Sequence, residues 1–192
     1  MFALCILIAV LLVGVSAARM ALQAEKSARS ERDRHLAFQA AEAALVDAEM
    51  DIEGGLDARS QRAAMFAPDS ALGFALGCGH GVASANLGLC LRAGGSEAPV
   101  WQVIDFADDG AASAHSVPYG NFTGAILKTG QGSLPAKLPR YIIELMPFNY
   151  MGEDAGLQLS YFYRVTAIGF GARASTLVVL QTLYRKLPGS AP

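Results

Sequence analysis

Proline is absent from the first 53 residues, and Gly14 is the one helix breaker among them. Met1 to Ala18 carries no charged side chain, and from Arg19 to Ile52 the strong helix formers Ala, Glu, Arg, Gln and Leu dominate. The pattern predicts a single helix from about residue 2 to 53. At 1.5 Å per residue such a helix is roughly 80 Å long, several times what one domain can pack against. Whatever folds on it can cover only part of it, so the rest has to meet something outside the domain.

The first part is built for an apolar medium. Of 192 residues 53% are apolar, with a mean hydropathy of +0.32, and the 15 basic and 17 acidic side chains all follow residue 18. Eighteen helical residues span roughly 27 Å, close to the hydrocarbon thickness of a bilayer, and Met20 to Leu22 extend the run if Arg19 snorkels. A secretory signal peptide competes with a retained membrane helix. It calls for a basic segment before the apolar stretch, which is missing, and a non-helical continuation, where the helix pattern instead runs on. The missing basic segment fits a leader cut away before Met1, and an ordinary initiator methionine fits equally. The remainder is enough for one domain. A net charge of −2 gives no general attraction to nucleic acid, so no such partner is expected.

In the second part of the helix, Phe38, Ala41, Leu45, Ala48 and Ile52 recur at spacings of three and four, a stripe that should lie on a sheet. Gly54 and Gly55 end the helix. Charge is segregated: Lys26 to Arg34 holds four bases and two acids, whereas Glu42, Asp47, Glu49, Asp51 and Glu53 are all acidic. Either these bands are solvated, or they set the axial register against similar helices. Residues 56–100 read as a Gly- and Ala-rich loop with short helical turns. Strand signals follow at Trp101 to Phe106, Arg140 to Met146, Ser160 to Phe170 and Ser175 to Leu187, the last two forming an antiparallel hairpin.

Little in the chain speaks for catalysis. Cys5 lies in the apolar run, while Cys78 and Cys90 share the loop and pair naturally as a disulfide worth roughly 3 kcal/mol; two free thiols are the alternative. His35, His80 and His115 are scattered, no GxSxG, GxGxxG or Walker sequence is present, and no ligand set suits zinc. Asp105, Asp108 and Asp109 could ligate calcium or cap a solvated turn, and Asn121-Phe122-Thr123 matches a glycosylation sequon. We expect no enzyme activity, no cofactor and no bound metal.

These features together resemble a type IV pilin, in which an apolar helix continues into an amphipathic half that packs on an antiparallel sheet, an α+β fold. Gly14 stands in the apolar half as in many pilins. Arg32 to Glu49 (RDRHLAFQAAEAALVDAE) and Tyr163 to Lys186 (YRVTAIGFGARASTLVVLQTLYRK) are similar to the helix and the C-terminal hairpin of the PilX group of minor pilins. The resemblance implies residues 1–28 as the membrane and fibre-core half and 29–192 as a periplasmic domain. It also implies a prepilin peptidase that cuts before Met1, N-methylation of that residue, and fibre assembly through Met1, Cys5 and Gly14. Pilins generally carry glutamate at the fifth position, where it pairs with the amine of the preceding subunit; Cys5 replaces it here. A buried carboxylate without that amine would cost several kcal/mol, so a neutral residue suits a subunit with nothing ahead of it. Other minor pilins, a large tip adhesin and the inner membrane are the implied partners. A type II secretion pseudopilin and, less well supported, a single-pass periplasmic sensor or binding domain are the alternatives; the absence of a linker before Gly54 speaks against the latter.

Overall fold

The computed structural model describes residues 2–67, 69–148 and 160–186. Helix α1 runs unbroken from Phe2 to Glu53. The chain turns out of it at Gly54 and Gly55, the latter with φ of 59°, where the amide of Gly55 donates to the carbonyl of Met50 at 2.9 Å. A short helix α2 (Gln61–Met65) follows, capped by Ser60, whose Oγ accepts from the Ala63 amide at 3.1 Å. Then come β1 (Leu89–Leu91), α3 (Val100–Val103), β2 (Val117–Pro118), β3 (Arg140–Phe148), β4 (Ser160–Phe170) and β5 (Leu177–Tyr184).

The sheet has the order β1-β3-β4-β5, with β2 paired to the start of β3. β3, β4 and β5 are antiparallel neighbours, as expected, but β1 runs parallel to β3, so the sheet is mixed. Parallel pairing needs a long crossover, and residues 92–139 supply it. With three residues, β1 is too short to show a strand pattern in the sequence. The expected strand at Trp101 to Phe106 is also corrected. Pro99 precedes a single helical turn there, and Val100 and Phe106 lie with Cys78 and Cys90 on Ile142, Ile168 and Phe170, covering the outer face of β3 and β4 instead of joining the sheet.

The inner face carries α1. Ala37, Ala40, Ala41, Ala44, Ala48 and Ile52 are buried against it, together with Leu89, Tyr141, Ile143, Tyr163, Val165 and Ala167. Of the expected stripe, Ala41, Ala48 and Ile52 are fully buried and Leu45 packs on the edge of this core, but Phe38 is 40% exposed. The helix is rotated so that alanines, not the larger side chains, face the sheet. The cause lies in β4: a Cβ on Gly169 would come within 2.1 Å of the Ala37 carbonyl oxygen, so helix and strand backbones approach too closely for anything large between them.

Candidate assembly interface

Side chains described between Phe2 and Arg32 are all exposed, and nothing outside the local helix lies within 4 Å of a Cβ placed on Gly14. An 18-residue window of this segment has a mean hydropathy of 2.4 with none of it buried. Ser16, its polar interruption, turns its hydroxyl back to the Leu12 carbonyl at 2.8 Å, which lets it sit in an apolar medium. Met1 lies outside the described residues, and so does the side chain of Cys5, although its backbone continues α1.

Among the described side chains of α1 the first buried one is Asp33, and it fastens the helix to the far hairpin. Its carboxylate accepts from the Thr176 hydroxyl (2.5 Å), the Ala172 amide (2.6 Å), the Arg173 amide (3.3 Å) and Arg173 Nε (2.9 Å). The Thr176 bond above all holds its pKa below the ordinary 3.8, against the opposing effect of burial. Gly171 leaves room for this clasp, since a Cβ there would meet Asp33 Oδ1 at 2.3 Å. The position of Asp33 thus decides where the bare helix leaves the domain. Lys26, Arg29, Arg32 and Arg173 line an open cleft of about 900 Å³ at this exit.

Within its last two turns the helix is fastened again. Asp51 accepts from Arg62 Nε and Nη2 (3.1 and 2.6 Å) and from the Tyr141 hydroxyl (3.0 Å), all buried. Arg62 Nη1 donates to the carbonyls of Ala85 and Leu87 at 2.9 and 2.7 Å, so every side of this buried ion pair is satisfied. Asp47 accepts from the Gly120 amide (2.8 Å) and the Thr123 hydroxyl; burial nonetheless raises its pKa. Glu53 accepts from the Tyr184 hydroxyl at 2.6 Å. Much of the acidic band is therefore used inside the domain, which leaves the exposed Glu42 and the half-buried Glu49 to face outward. The reading of α1 as a row of complementary bands missed this. Asp33, Ala37, Ala40, Ala44, Asp47 and Asp51 recur at four and three, and three aspartates on one alanine row signal buried partners.

Cys78 and Cys90 are joined, with Cα atoms 4.0 Å apart. The bridge pins the loop that runs beside β1, where Ala75 exchanges main-chain bonds with Leu89 and Leu91 (3.2 and 2.8 Å). Asp105 and Asp108 accept from the amides of Ala107 and Gly110, turn caps of the solvated kind. His80 and His115 face one another with ring centroids 5.4 Å apart, and His35 pairs with Glu31 on the helix surface. Among the described residues no three His, Cys, Asp or Glu side chains are grouped to hold a metal.

Comparison with known families decides what this arrangement is. Residues 1–46 match the PilX N-terminal domain, and residues 86–186, more than half of the chain, match the C-terminal domain of the type IV pilus assembly protein PilX. The chain belongs to the PilX family. No curated protein and no solved structure matches it. As a PilX family member it is a pilin of the type IV pilus assembly, with the long helix and the sheet already described. The N-terminal match covers the bare helix and Asp33, and the C-terminal match covers the partners of Asp33 and every described strand of the sheet. Asp47, Asp51, Arg62 and Cys78 fall between the two matched blocks, whereas their partners Gly120, Thr123, Tyr141 and Cys90 lie in the C-terminal one.

Proposed function

We propose that this protein is a non-enzymatic minor pilin that primes pilus assembly and sits at or near the tip, linking other minor pilins to a large tip adhesin. The observation that carries the reading is the bare half of α1: some thirty residues, uncharged up to Ala18, project from a domain that clasps the helix at Asp33. Such a segment needs a membrane before assembly and a bundle of like helices after it. In this reading the chain spans the inner membrane once, keeps its domain in the periplasm, and is cut before Met1 by a prepilin peptidase, with Met1 then N-methylated.

Placement at the tip rests on Cys5, with Met1 and Gly14 as the other assembly positions. A subunit with no pilin ahead of it has no amine to offer a carboxylate at residue 5, and a neutral thiol avoids burying an unpaired charge. Deleting the chain is expected to reduce sheared surface pili and display of the tip adhesin, while Cys5→Glu leaves assembly unimproved or impairs it. Counting sheared pili and co-purified minor pilins in the three strains checks both. Normal piliation in the deletion strain removes the priming role; increased incorporation of the Cys5→Glu protein along the shaft removes the tip position.

A further inference from the structure

The two edges of the sheet are finished differently. Beyond β1, the loop carrying Ala75 and Gly79 donates to and accepts from the strand, and the Cys78–Cys90 bridge locks it there. Beyond β5 there is no such cover among the described residues: no main-chain or side-chain group pairs with the outer edge of Leu177–Tyr184. In an antiparallel strand every second residue turns its N–H and C=O away from the inner neighbour, so these groups are free to pair. The strand reads LVVLQTLY, without a charge or a proline to discourage pairing, and Leu177, Val179 and Leu183 are 52%, 41% and 66% exposed on the face away from α1. On the opposite face α1 provides a ledge. Asp47 and Asp51 turn toward the β2–β3 connection and β3, Glu53 accepts from the Tyr184 hydroxyl of β5, and Phe38 and Leu45 lie in one i, i+7 row with Ile52 on the flank of α1 away from those aspartates, the flank beside β5.

We infer that the outer edge of β5 docks an extended segment of a different protein, which adds to the sheet as a further strand. Free main-chain groups specify a strand and not a helix. The exposed Leu177, Val179 and Leu183 on one face and Phe38 and Leu45 on the other call for apolar residues on both faces of that segment, and β5 itself offers no charged side chain to pair with a charge in it. A second copy of this chain is the poorer occupant, an argument that rests on the membrane-rooted reading given above. Antiparallel pairing of two β5 edges places a two-fold axis normal to the sheet and makes the two α1 helices run in opposite directions, which one membrane forbids. Parallel pairing turns the copy over and puts its α1 on the other face, leaving Phe38 and Leu45 bare.

Amide hydrogen exchange on the full chain in phospholipid nanodiscs tests this, with a ten-residue peptide of alternating valine and leucine, lysine at each end, as the probe. Alone, the outward amides of Leu177–Tyr184 should exchange fast while those facing β4 are protected; with the peptide the outward set should gain roughly hundredfold protection. The double variant Val179→Lys, Leu183→Lys should weaken the peptide by at least about tenfold with an unchanged Tm, since both side chains are exposed. Outward amides already protected in the chain alone, or no gain with peptide, overturn the inference. Protection that rises with chain concentration in the absence of peptide assigns the edge to a second copy and overturns the choice of occupant. If deletion of the chain leaves piliation intact while the peptide still protects the edge, the pilus role falls and the docking edge stands.

Discussion

The two halves of α1 are one helix by backbone and two different objects by environment. From Phe2 to Arg32 every described side chain is exposed in the isolated molecule, whereas from Asp33 onward the helix loses its exposure on one face to a sheet. The difference is not one of hydrophobicity, since the more apolar half is the exposed one. The domain holds its half through alanines, glycines and aspartates: close backbone approach at Gly169, and carboxylates of Asp33, Asp47 and Asp51 that reach groups on the hairpin, the β2–β3 connection and α2. The larger apolar side chains are kept for surroundings the isolated chain does not contain. A domain built this way keeps its own core whatever surrounds the bare half of its helix.

The contrast breaks most severely at Asp51. Asp51→Ala leaves the Arg62 guanidinium buried with two of its bonds lost and the Tyr141 hydroxyl without its partner, an expected loss of 3–5 kcal/mol, or about that much. Thermal unfolding followed by near-UV circular dichroism in detergent should show it, while the far-UV signal of the bare half persists. An unchanged Tm would mean the second fastening is dispensable.

Leu45→Asp comes next, at several kcal/mol if the side chain stays where it is, because a carboxylate would enter the rim of the core with no partner. Leu45 is half-buried, so partial escape to water should make the loss smaller than for Asp51→Ala. A loss equal to or greater than that of Asp51→Ala would place Leu45 deeper than its burial indicates.

Legibility followed the same division. The length of α1, its end at Gly54, β3, β4 and β5, and the Cys78–Cys90 pair all follow from local signals: breaker-free composition, alternation and loop chemistry. The rotation of the helix was not legible, because weight was given to Phe38 and Leu45 over Ala37, Ala40 and Ala44. Side-chain size is a poor guide where two backbones touch, and the glycines that permit the contact are about 130 residues away in sequence. Trp101 to Phe106 was misread for a related reason: apolar and β-prone residues can equally well cover a sheet as join it, and Pro99 tips the balance toward a turn. Three residues of β1 carry no period at all.

The smallest of the expected effects sharpens the boundary between the halves. Asp33 has its folded-state pKa held below 3.8, so its contribution to stability is complete above the unfolded value and is lost as the pH falls through the lower, folded one. Asp47 works in the opposite direction: its raised pKa means that the folded protein binds this proton more readily than the unfolded chain, which favours folding as the pH falls toward 4. Wild-type stability should therefore hold or rise slightly on mild acidification and then drop below about pH 4, where Asp33 and similar carboxylates are forced to protonate. Asp33→Asn removes the charge and keeps one acceptor oxygen, enough for the Ala172 and Arg173 amides, but sets an NH2 where Oδ2 accepts from Thr176 and from Arg173 Nε, so at pH 7 the expected loss is about 2 kcal/mol. Its distinguishing mark is the slope: below pH 4 the variant should lose stability less steeply than the wild type, and the two curves should converge. Urea unfolding of the domain between pH 2.5 and 7 measures it, and parallel curves across that range would show that Asp33 does not hold the helix at the point where it leaves the domain.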